Sequence, residues 1–343
     1  MQSVKSFVTA ALITAVSAVS AYAVPYSLLV TQSPPGPTNQ NPANWQGVLQ
    51  YTVDGFAAPL ISVPGLPSSS VRDPAGITYR LASNEVLIGN RHGNNAADGT
   101  AGSISRFTFN PSTASLTPSG TIAGNGLFGV HQLNFSPTTG ELFAANVNAG
   151  ISRFTFDGAG NAVPNGTISS GPARGVAVSP DGGRLYVTGA SNTIRQFNLS
   201  TGAELPSLVV PGSPNLHYLR VHNNELYAAG LDSSLIYRYT IDSAGTLTPK
   251  SSFSAISPIT VTLSLDGTEL YTTGHRDTDL IERFTYNSAA DTWTLADTIN
   301  SNFSLGDALV LPVAIPEPTT LALGGLTWLV VLHACPRRQP ARA

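Results

Sequence analysis

Gly175-Val176-Ala177-Val178-Ser179-Pro180-Asp181-Gly182, followed by Leu185-Tyr186-Val187-Thr188 and then Ile194-Arg195-Gln196-Phe197, is the stretch that decides the fold. Its strands are short, β-branched or aromatic, as buried strands are, and Pro with Asp-Gly supplies a tight turn after the first of them. The third strand, with its terminal aromatic, recurs along the chain. The other copies are Val48-Leu49-Gln50-Tyr51, Ile104-Ser105-Arg106-Phe107, Ile151-Ser152-Arg153-Phe154, Ile236-Tyr237-Arg238-Tyr239 and Ile281-Glu282-Arg283-Phe284. Successive aromatics are separated by 56, 47, 43, 42 and 45 residues. That is the period of a four-stranded propeller blade and not of a helical solenoid.

Working outward, the second strand also recurs, as Leu28–Thr31, Val86–Gly89, Leu142–Ala145, Leu226–Ala229 and Leu270–Thr273. The first repeat starts directly at this strand, with no inner partner ahead of it. The missing strand stands at the other end, where Asp307-Ala308-Leu309-Val310-Leu311 follows the sixth repeat without a blade of its own. Pairing the two closes the ring and removes two exposed sheet edges. The expectation is an all-β, six-bladed β-propeller whose first blade is assembled from both termini. A seven-bladed ring is the alternative; it needs a hidden blade between Gln32 and Gly47 or between Asn90 and Gly102, and neither interval holds four strands.

Composition agrees: 42% hydrophobic residues, 11% charged, 32 Gly and 25 Pro make a chain rich in turn formers. A net charge of −3 without basic runs excludes a nucleic-acid footprint. The single cysteine, Cys335, excludes an internal disulfide, so stability rests on the core.

The two ends read as targeting segments. Lys5, an apolar stretch from Phe7 to Val19 and Ala21-Tyr22-Ala23 form a signal peptide over residues 1–23, cut after Ala23. The propeller takes residues 24–313. The tail, 314–343, runs Pro316-Glu317-Pro318, then an apolar membrane segment 321–335, then Arg337, Arg338 and Arg342. Prolines break a preceding strand, and the arginines stay on the cytoplasmic side, so the globular part faces outward. This order resembles the PEP-CTERM sorting signal. The resemblance implies recognition at Pro316, Glu317 and Pro318 by an exosortase, transient anchoring in the inner membrane, and a final place at the cell surface or in extracellular matrix.

The span Val176–Gly189 resembles the YVTN type of propeller repeat, which occurs in lactonase-like propellers and surface-layer proteins; Gly189 stands where that motif ends in Asn. The resemblance implies a fold and does not transfer chemistry.

In a propeller the starts of the inner strands and the ends of the second strands meet at one mouth of the channel. His131, Arg174 and His217 precede three successive inner strands at aligned positions, with Ala75, Ile259 and Asp307 in the other repeats. Arg91, His92 and Asp98 come from the second-blade loop, Asn146 and Asn148 from the third, and His275, Arg276, Asp277 and Asp279 from the sixth. Basic and imidazole groups around a mouth suit a polar or anionic ligand, such as an acidic extracellular polysaccharide, or a surface protein. No cofactor is expected. His92, His131, His217 and His275 with Asp98 or Asp277 are the residues that would ligate a divalent metal, although no His-x-x-x-His spacing announces one. Arg106, Arg153, Arg238 and Arg283 read as ladder residues that pack their stems between blades.

The sequence therefore favours an exported binding module, monomeric, that acts through its channel face. A lactonase-like hydrolase using the same face is the alternative, with Asp307 the nearest thing to a catalytic group, and a purely structural module is the third reading. No nucleophile with a base in reach is legible.

Overall fold

The computed structural model describes residues 26–32, 47–53, 61–66, 73–91, 102–212, 214–275, 278–301 and 305–312. The signal segment, His92, Asp98, Arg276, Asp277 and the tail with Pro316, Glu317, Pro318, Arg337 and Arg338 lie outside them. Among the described residues no helix is long and apolar enough to cross a membrane.

The strands fall in chain order into six antiparallel sheets of four. The first blade takes β1 (Tyr26–Gln32), β2 (Val48–Val53) and β3 (Ile61–Leu66); the second β4 (Pro74–Arg80), β5 (Glu85–Asn90), β6 (Ser103–Asn110) and β7 (Ser115–Ile122). The third has β8 (Val130–Phe135), β9 (Leu142–Asn146), β10 (Gly150–Phe156) and β11 (Ala162–Ile168); the fourth β12 (Gly175–Val178), β13 (Arg184–Thr188), β14 (Thr193–Asn198) and β15 (Glu204–Val209). The fifth has β16 (Leu216–His222), β17 (Glu225–Gly230), β18 (Leu235–Ile241) and β19 (Leu247–Ser254); the sixth β20 (Thr262–Leu263), β21 (Glu269–Thr273), β22 (Leu280–Asn287) and β23 (Thr292–Asn300). The last strand, β24 (Leu305–Pro312), is the inner strand of the first blade, pairing with β1 from Tyr26↔Pro312 to Val30↔Ala308. The ring is six-bladed and closed by both ends of the chain, and the seven-bladed alternative is excluded.

Each seam between blades holds one apolar cluster, six in all. Period-2 alternation explains the continuous apolar runs of the second strands, because both faces of every blade are covered. Leu185 and Val187 face the third blade, while Tyr186 faces the fifth. The repeated aromatics Tyr51, Phe107, Phe154, Phe197, Tyr239 and Phe284 are all buried in these seams.

At the face opposite the mouth, a second device repeats. Glu85, Glu141, Glu225 and Glu269 meet Arg106, Arg153, Arg238 and Arg283 of the neighbouring third strand at 2.5, 2.8, 3.0 and 3.6 Å. In the fourth blade Arg184 and Gln196 take these places, 3.1 Å apart. These arginines tie strands within a blade, and Arg238 also reaches Asp291 of the sixth blade at 2.6 Å.

The inner strands approach closely. A Cβ on Gly76 would collide with the backbone carbonyl of His131, and one on Gly175 with that of His217. Gly76→Ala is therefore expected to destabilise the fold by about 1–3 kcal/mol. A urea midpoint equal to that of the wild type would mean the inner strands stand further apart than described.

Candidate ligand site at the channel mouth

Strand pairing sets which residues are equivalent around the channel. Ile77↔Ile88, Leu133↔Ala144, Val176↔Val187, Leu219↔Ala228 and Ala308↔Val30 occupy one level. Counting back two residues along each inner strand, the rim carries Ala75, His131, Arg174, His217 and Gly306; the sixth blade, placed by Thr262↔Tyr271, adds Ile259. The level just below holds Gly76, Gln132, Gly175, Tyr218, Thr260 and Asp307. Asp307 thus stands one residue deeper than the rim position expected of it. The pairing Ala308↔Val30 sets it there; the register shift between the partners of Val30 and Gln32 is shared by β4, β8 and β16 and does not displace Asp307 relative to His131 and His217.

The lower level is a polar plug. Gln132 accepts hydrogen bonds from the amides of Val176 and Leu219, 2.8 and 3.0 Å, and donates to the Leu219 carbonyl at 2.6 Å. Asp307 is 0% exposed. Its carboxylate accepts from Thr260 Oγ1 at 2.6 Å, Ala308 N at 2.9 Å and Ile77 N at 3.2 Å, with Arg220 Nη2 3.7 Å away. Burial pushes the Asp307 carboxyl above the usual range against the pull of Arg220 and these donors. Tyr218 is also buried, and its hydroxyl is pushed up, first by burial and then by Asp307, while Arg91 and Arg174 oppose the rise.

Above the plug, four of the basic groups gather. Arg174 Nη1 lies 2.7 Å from His217 Nε2. A guanidinium has no acceptor, so Nε2 carries the lone pair and the ring proton sits on Nδ1. His217 is 5% exposed, and burial, then Arg174 and His275, pull its pKa down to about 3. The His275 ring is 6.2 Å from that of His217, and His131 stands edge-on to Tyr218 at 6.2 Å. Arg91 turns to Asp73, whose Oδ1 accepts from its Nη2 and Nε at 2.5 and 3.1 Å.

Among the described residues no three His, Cys, Asp or Glu side chains form a metal-binding group. Asn146 is turned inward, where it accepts from Phe128 N at 3.1 Å and donates to Ser152 Oγ at 3.0 Å. A separate groove of about 260 Å³ lies between the second and third blades, lined by Arg106, Ile122, Phe154, Asn161 and Pro164. It is remote from the mouth, and the Arg106 guanidinium there is taken up by Glu85 and the Gly160 carbonyl. Gln132, Tyr218, Thr260 and Arg220 are not singled out by the sequence, since an uncharged or ladder-like residue within or just before an inner strand looks like any other.

No family model matches the chain, and no curated protein matches it. Solved structures do. A periplasmic gluconolactonase of Pseudomonas aeruginosa superposes with a TM-score of 0.59 at 15% identity, covering 85% of this chain and 100% of that one. A protein from Lactobacillus plantarum gives 0.59 at 14% identity, covering 84% and 100%. A chain of a nidogen/laminin complex gives 0.57 at 15%, covering 84% and 100%. At these identities the likeness is one of fold alone, and it extends both to a gluconolactonase and to a chain of a nidogen/laminin complex.

Proposed function

We propose that the chain is exported, loses residues 1–23, is sorted through its tail by an exosortase, and is displayed at the cell surface or in extracellular matrix. There its channel mouth binds a carboxylate-bearing ligand such as an acidic polysaccharide or a surface protein. The observation that carries the binding reading is the 2.7 Å contact of Arg174 with His217. A neutral imidazole positions the guanidinium without cancelling its charge, and a guanidinium pairs with a carboxylate through two parallel hydrogen bonds.

Two features favour binding over turnover. A general base works best with a pKa near the working pH, and that of His217 is held at about 3. Asp307 is sealed below the mouth with its oxygens already accepting. Calorimetric titration with an oligogalacturonate tests the reading. Arg174→Ala is expected to weaken binding at least about tenfold, and added salt to weaken the wild type. Equal affinities for wild type and variant would place the ligand elsewhere.

The fold likeness to a gluconolactonase favours a second reading, hydrolysis of a lactone at the same face, with or without a divalent metal. Turnover on a lactone panel that ends on His131→Ala or His217→Ala would replace the binding reading with this one.

A further inference from the structure

Both ends of the propeller leave it on one face. β24 begins at the mouth, where Gly306 lies on the rim, and ends at Pro312 on the far face; β1 begins there too, since Tyr26 pairs with Pro312. Residues 313–320, outside the described part, join Pro312 to the apolar segment 321–335 and span at most about 30 Å. The apolar stretch Phe7–Val19 ends seven residues before Tyr26. A chain held in a bilayer by either segment is therefore tethered through its far face, with the channel mouth at the opposite end.

The surface beside the exit differs from the rest of that face. β24 packs between β4 and β20, its Asp307 reaching Ile77 N and Thr260 Oγ1 at 3.2 and 2.6 Å. The far-face turns that follow those two strands carry Leu81, 77% exposed, and Leu265, 61% exposed. In the second of these turns the Ser264 amide donates to the Glu269 carbonyl at 2.9 Å, as that of Ser136 does to Glu141 and that of Ser179 to Arg184. Leu265 thus takes the place of Pro137 and Pro180, while the fifth blade turns through Asn223-Asn224. Among the described turns from an inner to a second strand, only the two that flank the exit carry a leucine. Ala82, Ser83 and Asn84 beside Leu81 are uncharged, and Asp266 beside Leu265 accepts from Ser264 Oγ and Thr268 Oγ1 at 2.6 and 2.8 Å. What these turns offer a surface is apolar contact, not positive charge.

We propose that Leu81 and Leu265 rest in the headgroup layer of the bilayer that holds the tail, so that the propeller stands on its far face with the mouth pointing outward. A lipid surface is the occupant because the segment that issues between the two leucines is itself apolar and ends in arginines. The inference rests on the anchoring part of the reading above and is independent of what the mouth binds. Two leucines alone hold a bilayer weakly, but a tether this short makes their contact intramolecular, at an effective concentration near the millimolar range. The segment 321–335 is shorter than the roughly 20 residues a spanning helix needs, and a second contact adds to its hold.

The test uses the full chain with Cys335→Ser, reconstituted into phosphatidylcholine vesicles that carry a nitroxide on the headgroup, with a fluorophore on one introduced cysteine. Ala82→Cys places the label beside Leu81, and Ala149→Cys places it in the turn after β9 on the mouth side. The expected result is a chain that floats with the vesicles and is quenched at position 82 but not at 149. Adding Leu81→Asn and Leu265→Asn, which copy the fifth blade's turn, is expected to abolish the quenching while flotation and circular dichroism stay unchanged. A floating chain no more quenched at 82 than at 149, or one still quenched at 82 in the double variant, overturns the leucine contact and leaves the anchoring. A chain that does not float overturns both.

Discussion

Asp307→Ala is expected to lower the free energy of unfolding by about 3–5 kcal/mol, the range seen when one partner of a buried charged network is removed. The carboxylate joins four blades: its own strand β24, Ile77 of the second, Thr260 of the sixth and Arg220 of the fifth. Alanine leaves two of these donors, Thr260 Oγ1 and the Ile77 amide, without this acceptor in a site where burial is complete, and leaves Arg220 facing a gap. Asp307→Asn keeps one acceptor oxygen, so a smaller loss of about 1–3 kcal/mol is expected. Urea unfolding of the three proteins at one pH measures this. Equal midpoints for wild type and Asp307→Ala would mean that the ring closes without the carboxylate.

Acid is expected to destabilise the fold through His217. In the folded protein its pKa is about 3 against an ordinary 6.5. As pH falls through 6.5 the unfolded chain takes up a proton here while the folded chain does not until near pH 3. Stability from this residue is thus whole above pH 6.5 and lost progressively between 6.5 and 3, by about 4–5 kcal/mol in total. His222, also depressed by burial, loses stability in the same direction, whereas Glu269, Glu282 and Asp307, all raised, change in the opposite one. The difference between wild type and His217→Gln isolates the effect, because Gln offers Arg174 an acceptor oxygen and does not titrate. Between pH 6.5 and 5 the wild type is expected to lose about 2 kcal/mol more than the variant. Parallel stability curves would show that His217 protonates freely in the fold.

How much of this is legible in the sequence follows from periodicity. Tyr186 and its equivalents sit in strands buried on both faces, so an unbroken apolar run recurring with an aromatic at blade spacing is enough to count six blades. The unpartnered Leu28–Thr31 and Asp307–Leu311 strands are enough to join the ends. The site is less legible because its geometry depends on strand register to within one residue. Ala308 pairs with Val30, which puts Gly306 on the rim and Asp307 one residue deeper, and nothing in Leu305-Gly306-Asp307-Ala308 marks that offset. Tyr218 and Gln132 are hidden because each directly follows a residue, His217 or His131, that draws attention to itself. Asn146 lies at the end of a second strand, where a loop ligand is expected, yet it holds the loop to Phe128 in place.

The most direct test of the channel-mouth account is the nitrogen-15 spectrum of the imidazoles at pH 5.5, recorded before and after adding an oligogalacturonate. The account predicts a neutral His217 with its proton on Nδ1, and ligand-induced changes at His217, His275 and His131 with His222 still. A protonated His217 in the free protein, or a ligand that shifts His222 and leaves the other three unchanged, would contradict it.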